Sequence, residues 1–231
     1  MSKKNNFKKG DSVLYSKKRY TIVNYSKNIE IDDGTGNITS LNSEEDLIKM
    51  MTDSEIEFAR ESIEEILILA DKTKTMKKDD TKGGGYYGTS LTILIACAFD
   101  AMGRIGLDKN NKESDKNKTR FQFIQEEYVN KGNYGFTNDE FVDIFYTIYR
   151  CGLVHSGTID PNNVISSDNN VTNVITHDAK GVTKIYLDAL IKMATSIFKK
   201  ICTDYNISNN GSMFSNPSET GDTQTIITQT H

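Results

Sequence analysis

The residues best suited to chemistry in this 231-residue chain lie in the run FVDIFYTIYRCGLVHSG, where His155 follows Arg150 by five positions. An imidazole, with a reference pKa of about 6.5, gives or takes a proton near neutrality, and a guanidinium stays charged and can brace two anionic oxygens. Such a pair could move a proton beside a held anion. On an ideal α-helix, His155 points roughly 140° away from Arg150 and lies about 7.5 Å further along the axis. The two converge only if the helix loosens at Gly152, or if two copies of it meet across a two-fold axis. Asp100 interrupts the apolar run LTILIACAFDAMGRIG, and a carboxylate in such surroundings needs a partner, so it could orient either group. The same residues also have a structural use: Arg150 paired with Asp100 or Asp143, and His155 satisfied by backbone carbonyls at a helix end.

Other chemistries find little support. His155, His177 and His231 share no ligand spacing, so no metal site is expected. No serine sits in a G-x-S-x-G elbow. The stretch KGGGYYGTS matches G-x-G-x-x-G at Gly83, Gly85 and Gly88, but a lysine-rich polar segment precedes it where a dinucleotide fold requires a strand, so it reads as a connection and no cofactor is expected. Cys97, Cys151 and Cys202 form neither a disulfide framework nor a C-x-x-C pair, and no signal segment opens the chain. A reducing, cytoplasmic setting follows. The longest apolar run, Ile93 to Phe99, falls far short of the roughly 20 residues that span a bilayer, and no membrane partner is expected.

The elements that must position these residues follow from periodicity. SVLY, YTIVNY and IEIDDGTGNITSL alternate strand-forming runs with turn residues, and three or four short strands of this size suggest a curled, SH3-like barrel. Ser43 and Asp46 open a short helix to Met51, and Asp53 is an N-cap for a long one with Ile56, Ala59, Ile63, Ile66 and Ala70 on one face. Tyr87 to Leu107, apolar almost all round, is expected at the centre. Helices follow from Thr119 to Asn130 and from a capping box at Thr137 and Glu140 toward Gly152. In that last helix Phe141, Ile144, Phe145 and Ile148 form one apolar stripe, and Asp143, Thr147 and Arg150 remain on a polar strip. VTNVIT and VTKIYL flank HDAKG as a hairpin, and Leu187 to Tyr205 closes the fold as an amphipathic helix.

With 36% hydrophobic and 26% charged residues the chain can bury a core, although its mean hydropathy is −0.52. The net charge of −4 hides two faces. Residues 1 to 30 carry +6, whereas residues 31 to 70 carry −9. Lys8, Lys9, Lys17, Lys18 and Arg19, interleaved with Tyr15 and Tyr20, would suit phosphate contacts and base stacking, or could dock on the acidic stretch 44 to 65 of this chain or a partner.

Arg150 to His155 reads as R-x4-H near the end of a long helix in a helical domain, and so resembles the HEPN superfamily, whose motif is R-x4-6-H. The helix LTILIACAFDAMGRIG is similar to an earlier helix of many such proteins. Members often carry Asn after the motif Arg, where this chain has Cys151. The resemblance implies a metal-independent ribonuclease, in toxin–antitoxin or antiviral defence, whose Arg and His from two subunits form one cleft. On it, Arg150, His155 and Asp100 are the catalytic candidates, the chain is a homodimer, and RNA or a protein such as an antitoxin is the partner. The alternative is a non-catalytic HEPN-like module that binds nucleotide, nucleic acid or protein. The fold class expected is α+β: a basic β module over 1–50, a HEPN-like helical domain over 51–206, and a disordered tail over 207–231.

Overall fold

A computed structural model describes residues 7–15, 18–74, 87–110, 112–137, 139–153, 163–166, 168 and 170–207. Lys17, His155, the glycines at 83 and 85, and the expected tail from 208 onward lie outside the described residues. Four strands open the fold: β1 (Ser12–Tyr15), β2 (Lys18–Tyr25), β3 (Ile29–Asp32) and β4 (Ile38–Leu41). They form an antiparallel meander in the order β1-β2-β3-β4. The expected barrel is not seen among the described residues, because the sheet does not close on itself. Its inner residues Val13, Ile22, Ile29 and Ile31 are buried against Leu47, Met50 and Met51 of the following helix. That helix supplies the second layer, which removes the need for closure.

The helix, α1 (Glu44–Thr73), is capped by Ser43, whose side chain accepts from the Asp46 amide. It runs unbroken for 30 residues, so Asp53 is not an N-cap. No Gly or Pro near residue 52 interrupts the backbone, and the Asp53 carboxylate instead accepts from Lys109 Nζ at 3.2 Å. The first turns of α1 thus complete the sheet's core, and the remainder belongs to the helical unit.

Central to that unit is α2 (Gly88–Lys109), followed by α3 (Asn117–Ile124), which continues as one π turn over Gln125–Val129. Next comes α4 (Val142–Leu153), wound throughout as a π-helix with i→i+5 hydrogen bonds. Gln125 latches the two π segments: its Oε1 accepts from the Val142 amide at 3.1 Å and its Nε2 donates to Asp139 at 2.9 Å. A second sheet holds β5 (Asn163–Ser166), β6 (Ile175–His177) and β7 (Thr183–Tyr186) in the order β5-β7-β6. β6 and β7 form the expected hairpin, and β5 adds in parallel to β7. The final helix, α5 (Leu187–Asp204), follows β7 directly.

Aromatic residues fill the centre. Phe99 meets Phe141 and Phe145 edge-on, with centroids 5.0 and 5.6 Å apart. Of the described helices α2 alone is long and apolar enough to cross a membrane, yet 61% of that window is buried by its neighbours, the position of a core helix. Gly103 and Gly106 let α3 approach closely: a Cβ at the first would overlap the Arg120 carbonyl, and at the second the Phe123 ring.

Asp188 ties the end of α1 to the start of α5. It is buried and accepts from Lys74 and Lys192, both at 2.5 Å. Burial alone would raise its pKa, but the two lysines outweigh that and hold the carboxyl below its usual range. A depressed folded-state value gives stability that is complete above the unfolded pKa of about 4 and is lost as the pH falls through the folded value. Asp188→Asn is therefore expected to cost about 1–3 kcal/mol at pH 7. Urea unfolding should show the gap to wild type narrowing at pH 3.

Candidate functional site

The polar group in the middle of α2 is where the fold gathers candidate side chains from three elements. Asp100 Oδ1 accepts from Arg120 Nη1 of α3 at 3.2 Å, and its Oδ2 lies 3.9 Å from Arg150 Nε of α4. Arg120 is fixed independently, its Nε donating to the Ser114 carbonyl at 2.6 Å. Three elements thus converge on one carboxylate. The Asp100 and Arg120 side chains are 15% and 16% exposed, and that of Arg150 is 28% exposed, so the cluster opens to solvent on the Arg150 side.

Two guanidiniums around one carboxylate leave one positive charge without a counter-charge in the cluster. Arg150 Nε is buried and makes no hydrogen bond among the described residues, since 3.9 Å is too long for one. The surplus charge can be met by an anionic oxygen only at the exposed part of the Arg150 guanidinium.

Thiols and phenols surround the cluster. Burial pushes the Cys97 thiol up, Arg150 pulls against it and Asp100 adds to it, so Cys97 is a neutral neighbour. Tyr146 is hydrogen-bonded to Cys151, which with burial raises its phenol. The residue after Arg150 therefore has a local partner on the same helix. Tyr149 is fully buried, which pushes its phenol up to about 12.

The structure brings Arg150 and Asp100 together as the sequence suggests, with Asp143 and Thr147 exposed on the outer strip of α4. Arg150 lies three residues before the described end of α4, whose winding is π and not α. His155 itself lies outside the described residues. Sequence reasoning missed Arg120; the signal for it was the need of Asp100 for a cation, which Arg120 meets more closely than Arg150.

No family model matches the chain, nor does any curated protein or solved structure. Functional assignment therefore rests on the geometry. Lys8, Lys9, Lys18 and Arg19 are exposed, and none of the four makes an ion pair among the described residues. Arg19 lies opposite Leu14 in the β1–β2 register. No group of three or more metal-ligating side chains occurs among the described residues.

Proposed function

We propose that the chain is a HEPN-like ribonuclease that acts as a homodimer and needs no metal. The observation that carries this reading is the partly exposed Arg150 guanidinium beside a carboxylate already engaged by Arg120. An RNA phosphate oxygen is the acceptor of matching charge. In the reaction His155 removes the proton from a 2'-hydroxyl, the 2'-oxygen attacks the adjacent phosphorus, and the bond to the 5'-oxygen breaks as that oxygen takes up a proton. The products are a 2',3'-cyclic phosphate and a 5'-hydroxyl. Arg150 steadies the charge that builds on the non-bridging oxygens, and Asp100 with Arg120 sets its position. The exposed cations Lys8 and Lys9 before β1 and Lys18 and Arg19 in β2, with Lys17, supply further phosphate contacts.

A second reading has an observation of its own. The Arg150–Asp100 ion pair would fasten α4 to α2 in a protein that cleaves nothing, an adaptor or antitoxin that binds nucleotide, nucleic acid or protein. Incubation of purified protein with mixed RNA separates the two. The ribonuclease yields fragments ending in 2',3'-cyclic phosphate whether or not a chelator is present, and intact RNA would leave the adaptor.

A further inference from the structure

We propose that Asn163, Thr183, His177 and Glu140 form an acyl-transfer site in which the Thr183 hydroxyl is the nucleophile. The second sheet sets three of them in one row: Thr183 of β7 is in register with His177 of β6 on one side and with Asn163 of β5 on the other. In-register residues share a face of the sheet, so the row Asn163–Thr183–His177 runs beside the apolar row Ile165–Ile185–Ile175 two positions along. Ile175 and Ile185 are buried, Asn163 and Thr183 are half-buried, and the His177 side chain is 46% exposed. The polar row therefore lies where the core meets solvent.

Hydrogen bonding fixes the roles. His177 is the one histidine among the described residues. Its Nε2 lies 2.7 Å from Glu140 Oε1, and its Nδ1 lies 3.3 Å from Thr183 Oγ1. An ionised carboxylate only accepts, so Glu140 holds the ring proton on Nε2 and leaves the Nδ1 lone pair facing the Thr183 hydroxyl. Glu140 is held in turn: its Oε2 accepts from the Thr137 amide at 3.0 Å and from the Thr137 hydroxyl at 3.1 Å, and its side chain is only 18% exposed. This is the carboxylate–imidazole–hydroxyl order of an activated nucleophile, with the two ring nitrogens in exchanged roles. A 3.3 Å contact is long, as catalytic hydrogen bonds commonly are before a substrate binds. Asn163 supplies a side-chain amide on the other side of Thr183, the place from which a donor can meet the oxygen of a carbonyl under attack.

The row lies at the surface, which suits a small acyl group on a good leaving group. Thr183 Oγ1 attacks the acyl carbon of an activated ester while His177 Nδ1 takes the hydroxyl proton, and Asn163 donates to the oxyanion that forms. The bond from that carbon to the leaving oxygen then breaks, and His177 passes its proton to the leaving oxygen. Water, deprotonated by the same nitrogen, hydrolyses the acyl–Thr183 ester, which frees the acid and restores the hydroxyl. None of the four residues belongs to the Arg150 cluster, so the proposal does not rest on the ribonuclease reading.

p-Nitrophenyl acetate added to the full chain should release a burst of nitrophenolate equal to the protein concentration, followed by slower turnover. Peptide mass spectrometry of the quenched mixture should find the acetyl group on Thr183. Thr183→Val keeps the β-branched shape and should abolish the burst, whereas Thr183→Ser should restore it. His177→Gln and Asn163→Ala should each slow acylation by roughly 100-fold, with thermal unfolding little changed. Acetyl groups found on lysines and not on Thr183, or a Thr183→Val protein with the full burst, overturn the site. So does a folded His177→Gln protein that acylates Thr183 at the wild-type rate, since the hydroxyl would then react without its base. A silent Thr183 leaves the ribonuclease reading standing, and intact RNA leaves this one.

Discussion

Alanine in place of Arg150 or of His155 is expected to lower RNA cleavage by roughly 100-fold or more, as removal of a transition-state charge partner or of a general acid/base does. Arg150→Lys should recover little. A lysine keeps the charge but not the planar fork of donors, and its stem lacks the Nε–H that faces Asp100 at 3.9 Å. Stability should move little in these variants. The Arg150–Asp100 contact is longer than a hydrogen bond and partly open to water, which limits its worth to about 1 kcal/mol or less. Arg120→Ala should behave differently: it removes the firm hydrogen bond to Asp100 and the anchor to Ser114, and so lowers both stability and cleavage. Initial rates on a labelled RNA, read beside thermal unfolding, check all of this. Full activity in a folded Arg150→Ala protein would remove the site from consideration.

What was legible in the sequence was what local periodicity dictates. The hairpin at HDAKG follows from its turn chemistry, since Asp178 accepts from the Lys180 and Val182 amides and Gly181 takes a φ of +78°. The all-round apolar text of α2 and the one-sided text of α5 placed both helices correctly. What local text could not give were decisions made by neighbours. The first strands stay an open sheet because Leu47, Met50 and Met51 cover them, a choice that no strand pattern contains. The π winding of α4 leaves an apolar stripe much like that of an α-helix, and it is the distant Gln125 that satisfies the Val142 amide. In the site, Arg150 was visible because it shares a short run with His155. Arg120 was not: its tie to Asp100 spans 20 positions and depends on Gly103, whose missing side chain lets α3 come near enough.

The strongest effect on stability should come from a cluster with no part in the proposed chemistry. Arg60, only 5% exposed, donates to Glu64 at 2.8 Å and to Glu57 at 2.7 Å, with Glu61 at 3.8 Å. Cys202 of α5 lies near enough that Arg60 pulls down a thiol which burial pushes up to about 11. One cation therefore serves several carboxylates where α1 meets α5. Arg60→Ala is expected to lower unfolding free energy by about 3 kcal/mol or more, because it removes a buried guanidinium together with its hydrogen bonds to Glu64 and Glu57. Arg60→Met combined with Glu64→Met removes the ion pair while keeping apolar volume at both places, and should recover more than half of the loss. Urea unfolding of the two variants at neutral pH makes the comparison, and a double variant as unstable as Arg60→Ala would assign the loss to packing instead. Arg60 faces α5, whereas Asp100, Arg120 and Arg150 lie on α2, α3 and α4. The Arg60 variants should therefore dimerise and cleave normally per folded molecule, which separates a failure of the fold from a failure of the site.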